Sequence, residues 1–161
     1  MAESTVAHTK RDLVLTFIDK AAAHSYVVAN EPGDFAYAAP GYGTTRILDR
    51  GEHATPRRGD AQACTTSFSA YYKDAGSATY ATLPDICQNT NYVGSTWTST
   101  LDGVSDEITF DLAVTIDGTY AGEADKTLTF DDMSFRGSMS DGDPSTYAVT
   151  GAASILAPIL T

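Results

Sequence analysis

The sequence predicts a mainly β protein, an antiparallel β-sandwich or partial barrel with one short flanking α-helix and a long extended arm. Three observations predict it. Apolar residues recur with period two, Gly, Pro, Asn and Asp punctuate the runs, and β-branched residues, Thr above all, fill the polar positions. Sheets with one buried and one wetted face produce such alternation. A chain of 161 residues, 42% apolar and 19% charged, suits a single globular domain spanning 1–161.

In chain order, Leu13, Leu15 and Phe17 alternate with Val14 and Thr16 as a first strand. Asp19 and Lys20 begin a turn, and residues 24–28 form the hairpin partner. Between Asn30 and Asp60 lies a Gly-, Pro- and Arg-containing stretch too long for an ordinary hairpin loop. Its Phe35, Tyr37, Tyr42, Ile47 and Leu48 supply apolar area that needs cover, so it reads as an arm ordered against a partner. Cys64, Thr66, Phe68, Ala70 and Tyr72 alternate with Thr65, Ser67, Ser69 and Tyr71, a long strand with one small, polar face. Thr82 opens a short helix with Pro84 in its first turn, and Asn89-Thr90-Asn91 ends it near Gln88. Ile108, Phe110, Leu112, Val114 and Ile116 share one strand face. Glu107, Thr109, Asp111, Ala113, Thr115 and Asp117 share the other. Leu128 and Phe130 repeat the pattern against Asp125, Thr127, Thr129 and Asp131, and Tyr147, Val149, Gly151, Ala153 and Ile155 form a final strand.

The net charge of −11 is unevenly spread. Residues 1–60 hold seven Lys or Arg against eight Asp or Glu, whereas residues 61–161 hold only Lys73, Lys126 and Arg136 against thirteen acids. An acidic body disfavours free binding to nucleic acid. Beside it, Arg46, Arg50, Arg57 and Arg58 suggest complementary patches on neighbouring copies; simple solubility explains the acidity equally well. No stretch approaches the roughly 18 apolar residues of a membrane span. The polar opening Met1-Ala2-Glu3-Ser4-Thr5 reads as a mature cytosolic start.

A search for chemistry finds no active site, metal centre or cofactor motif. Cys64 and Cys87 form no CxxC pair and read as two buried thiols. His8, His24 and His53 are far apart in polar or terminal contexts and read as surface histidines. No serine sits in a G-x-S-x-G elbow, and Asp131-Asp132 and Asp141-Gly142-Asp143 lack the ladder of a calcium loop. Asp141-Gly142-Asp143-Pro144 is better read as a turn. Gly41-Tyr42-Gly43 lacks the frame of a phosphate loop, and Arg58-Gly59-Asp60 is discounted as a chance adhesion tripeptide.

The run Leu128-Thr129-Phe130-Asp131-Asp132-Met133-Ser134-Phe135, with Gly137 to Gly151 after it, resembles the C-terminal region of major tail tube proteins of long-tailed, siphovirus-type bacteriophages. Glu31-Pro32-Gly33-Asp34-Phe35 after the Tyr26-Val27-Val28 strand is also similar, as is Arg57-Arg58-Gly59-Asp60 leading into the strand at Cys64. The resemblance implies a structural virion protein rather than an enzyme, assembling into stacked, six-membered rings whose lumen passes DNA at ejection without specific binding. It implies terminator, tape-measure and distal tail proteins as further partners, no membrane, no cofactor, and a location in the virion tail after assembly in the host cytoplasm. Residues 30–60 would be the loop reaching neighbouring subunits, with Phe35, Tyr37, Tyr42, Arg46, Ile47, Leu48, Arg50, Arg57 and Arg58 as contacts. Glu107, Asp111, Asp117, Asp125 and Asp131, and the Thr65/Ser67/Ser69 face, would be candidates for the lumen wall. Two competing readings stand beside it. One is a capsid decoration or head–tail joining protein, and the other a small β-barrel cyclase or ligand carrier, which needs an apolar cavity.

Overall fold

A computed structural model describes residues 13–29, 35–49, 52–118, 122–153 and 158–161; at 45–49 and 52–57 it describes the backbone alone. Among the described residues ten strands and two short α-helices follow one another, with a 3-10 turn at Lys20–Ala22. They are β1 (Leu13–Ile18), β2 (Ser25–Val27), β3 (Ala36–Ala38), β4 (Gly41–Asp49), β5 (Glu52–Gln62), β6 (Thr65–Tyr71), α1 (Leu83–Gln88), α2 (Asn91–Thr96), β7 (Phe110–Ile116), β8 (Lys126–Ser140), β9 (Thr146–Ala153) and β10 (Ile159–Leu160). An eight-stranded antiparallel sheet runs β2-β1-β7-β8-β9-β6-β3, with β10 paired to β8, and β4-β5 forms a sheet of its own. The fold is thus mainly β and antiparallel, and the sheet does not close into a barrel.

Alternation drives the core. Leu15 and Phe17 of β1, Phe68 and Ala70 of β6, Leu112 and Val114 of β7, and Tyr147, Val149, Gly151 and Ala153 of β9 all point inward and are buried. Phe17 ties the two halves together, its ring 4.7 Å from Phe135 in an edge-on contact and 6.0 Å from Phe68. Each such phenylalanine removes enough apolar surface from water to stabilise the fold by about 1.5–3 kcal/mol.

The alternation fails at one place, for a definite reason. Phe110 lies opposite Met133 but Leu112 opposite Phe130, so Asp131 and Asp132 together face Asp111 alone. The extra residue is accommodated at Asp132, whose φ is 53°, and the Asp132 amide donates to the Asp111 carboxylate at 2.9 Å. This β-bulge flips the phase of β8: Phe130 is buried before it, Met133 and Phe135 after it. The long strand is thereby divided, its first part paired with β7 and its second with β9.

Three expectations need correcting. The strand expected from residue 107 begins only at Phe110. Before it Ile108 is exposed and Thr109 is buried, because the Thr109 hydroxyl accepts from the Leu101 amide at 3.1 Å and its backbone N–H donates to the Ser99 hydroxyl. Ala113, expected on the wetted face, is buried. The single helix is two: Thr82 caps α1 as expected and Asn89 ends it in the left-handed conformation, but α2 starts again at Asn91. Residue Ile155 and the Glu31–Asp34 motif lie outside the described residues.

Candidate assembly surfaces

The expected arm over 30–60 contains regular structure. Ala36–Ala38 pairs with Thr65–Ser67, and after a two-residue break β4 and β5 pair in the same register, Gly41 opposite Gln62. The ribbon is therefore a continuation of the sheet's β3/β6 edge, and nine residues of β4 extend it by roughly 30 Å. Gly43 faces both Gly59 and Asp60, so the Arg58-Gly59-Asp60 tripeptide is the site of a bulge. A Cβ on Gly59 would come within 2.8 Å of the Gly43 carbonyl oxygen, so the close approach of the two strands requires glycine there. Beside the bulge the Arg58 guanidinium lies over the Tyr42 ring, 3.1 Å from its centre.

The residues expected at inter-subunit contacts separate. Phe35 and Tyr37 pack on the chain's own Phe130, with ring centres 6.1 and 5.5 Å away; Phe35 is half-buried there and Tyr37 remains 46% exposed. Tyr42 and Arg58 are exposed on the hairpin. Arg46, Ile47 and Leu48 are placed on β4 and Arg57 on β5 by their backbones, and Arg50 lies outside the described residues.

The acidic residues do not form one strip. Asp111 and Asp131 meet Asp132 at the β8 bulge, where burial and the neighbouring carboxylates push both the Asp111 and the Asp131 carboxyls above the usual range. Glu107 sits in the exposed loop before β7. Asp117 and Asp125 flank the β7–β8 connection, where Asp125 accepts from the Gly118 amide at 3.1 Å. The Thr65/Ser67/Ser69 face does extend into a surface, since registers across β6, β9 and β8 align Ser67 with Thr150 and Arg136, and Thr65 with Ala152 and Ser134. With Ala36 and Ala38 at its edge, this hydroxyl-rich face forms an open concavity of about 500 Å³.

Two polar clusters escaped the sequence reading. Buried Asp85 accepts hydrogen bonds from the Ser77 amide, the Thr82 and Thr90 hydroxyls and the Asn91 side chain. Burial pushes its carboxyl up, but those donors outweigh it and hold the group below its ordinary value. Thr82 three residues before Asp85 was a legible capping signal; Ser77, Thr90 and Asn91 gave none. Nor is His24 a plain surface histidine. Its Nδ1 lies 2.8 Å from the buried Asp19 carboxylate and its ring stacks on Trp97, which fastens the β1–β2 turn to the segment after α2. His8 and the His53 side chain lie outside the described residues. Cys64 is buried, Cys87 half-buried, and neither is bridged; burial pushes the Cys87 thiol up to about 12, which suppresses its reactive thiolate. Among the described residues no group of three or more His, Cys, Asp or Glu could hold a metal ion, and no helix is long and apolar enough to cross a membrane.

This architecture is shared over essentially the whole chain with parts of phage-tail-like machines. A chain from the PVC sheath/tube terminator of an extracellular contractile injection system matches with a TM-score of 0.58 at 12% identity, covering 100% of this chain and 99% of that one. A chain of the PVC sheath–tube complex matches at 0.58 and 10% identity, over 98% and 93% of the two chains. One from the baseplate of the anti-feeding prophage matches at 0.59 and 10% identity, over 100% and 97%. No protein-family model and no curated protein matches the sequence. At such identities the likeness is one of fold, and the fold is that of chains in the tube, terminator and baseplate structures of contractile injection systems.

Proposed function

We propose that this chain is a structural subunit of a phage-tail-type tube, copies of which associate into rings that stack along the tail. The observation that carries the reading is the β4–β5 hairpin on a fold matched end to end by chains from such assemblies. A two-stranded ribbon is marginal in water by itself, and a third element must cover it. Among the described residues no further strand pairs with the outer edges of β2 and β3, which are only three residues long, and a second copy would blunt them. The resemblance to long-tailed phage tube proteins and the fold shared with chains of contractile systems both support a place in a tail assembly and differ on the sheath.

Six-membered rings and passage of DNA through the lumen belong to the same proposal. An acidic wall would repel phosphates over a screening length of about 8 Å at physiological salt, so DNA would pass without adhering. The experiment is charge reversal on the hairpin. Arg57→Glu with Arg58→Glu should leave the circular dichroism spectrum of the monomer unchanged and abolish ring formation in sedimentation. Unimpaired assembly of the double variant would remove the hairpin from the interface.

A further inference from the structure

The open sheet leaves a seam, and the seam is lined with tyrosine. Past the end of β2 the Ala29 carbonyl accepts from the Tyr71 amide at 3.3 Å. Around this junction a groove of about 220 Å³ is lined by Tyr26, Tyr71, Tyr72, Tyr80 and Tyr147, five of the chain's nine tyrosines. Tyr147 is buried, with Tyr72 stacked on it at 6.0 Å, and the exposed Tyr80 donates its hydroxyl to the Asp74 carboxylate at 3.1 Å. Ring faces beside a carboxylate attract a guanidinium by charge and by the ring quadrupole together. Lys73 lies next to Asp74 in the same groove, so the favoured occupant presents an acid close to its arginine.

We infer that this groove receives the β4–β5 hairpin of a second copy; the inference rests on the self-assembly reading above and names its receiving site. Charge selects the hairpin. Residues 41–62 carry Arg46, Arg50, Arg57 and Arg58 against Asp49, Glu52 and Asp60, in a chain that is otherwise strongly acidic. Arg57 and Arg58 precede Asp60 closely, which matches a groove offering Asp74 beside Lys73. Within the hairpin Arg58 already lies on a tyrosine ring, a contact of the kind the exposed Tyr80 of the groove would supply. Geometry excludes the chain's own hairpin. The ribbon leaves β6 at its Thr65 end and continues in register away from the sheet, whereas the groove lies at the Tyr71 end of that strand, about 20 Å away. Donor and receiver on opposite ends of one strand make a head-to-tail contact, which generates rings when its rotation closes.

The test places a benzophenone photo-crosslinking amino acid at Tyr80 of the full chain and mixes it with isotope-labelled wild type under assembling conditions. Crosslinks from position 80 of one copy to residues 41–62 of another are expected. In parallel, Asp74→Lys should raise the concentration at half-assembly about tenfold, the loss typical of one interface anchor, with Tm unchanged. Rings that form normally with Asp74→Lys, or crosslinks that map elsewhere on a second copy, would overturn the receiving site and leave self-assembly standing. Failure of the wild type to assemble would overturn both.

Discussion

At the scale of single residues, polar side chains in this fold act as fasteners. Asp85 collects donors from the loop before α1, from its cap and from the start of α2, so one carboxylate holds three segments. Removing it leaves buried donors unpaired, and Asp85→Ala is expected to cost about 3 kcal/mol, a fall in Tm of roughly 6–12 °C by thermal melting. The sign of the pH effect follows from the depressed carboxyl. Its contribution is complete above the ordinary value of 3.8 and is lost as pH falls through the lower folded value, so acid should erode the difference between wild type and variant. Only Thr82 and the helix start were legible beforehand, because a cap is a local signal. The other donors reach Asp85 through the path of the chain, as His24 reaches Trp97, and periodicity carries no trace of either.

At the scale of elements, the bulge between β7 and β8 decides which residues of the longest strand face the core. The period-two pattern was legible in β1, β6 and β9, where the inward residues are the expected ones. It broke at Asp131-Asp132, because an extra residue in one strand leaves the apolar composition unchanged and shifts only its phase. The bulge also gathers three carboxylates. Burial and their mutual repulsion raise the Asp111 carboxyl, so its ionisation opposes folding, and stability from this group should increase as pH is lowered from neutral toward 3.8. Asp111→Asn keeps an oxygen to accept the Asp132 amide. It should therefore be more stable than wild type at neutral pH in urea titrations and lose that advantage near pH 4. An equal or lower midpoint at neutral pH would contradict the repulsion. The hairpin shows the opposite failing of sequence reading. Its composition marked an arm, but Gly43, Gly59 and Pro56 hid two long strands, since glycine and proline ordinarily signal loops and here serve a bulge and a ribbon with no further strand alongside among the described residues.

At the scale of the whole molecule, the described residues form an open sheet that ends in two short strands, a ribbon extending one edge and an aromatic seam at the far end, surfaces that the proposed assembly would cover. In the proposed assembly such a chain would be completed by copies of itself, and the excess of acids over bases would hold separate copies apart until they dock. The fold class was legible in the sequence; the seam was not, because its five tyrosines come from four separate stretches of chain. The most direct measurement is electron microscopy of the purified protein across a concentration series. Discrete rings that stack into hollow tubes as concentration rises are expected. Monodisperse single subunits at every concentration, with no rings, would contradict self-assembly.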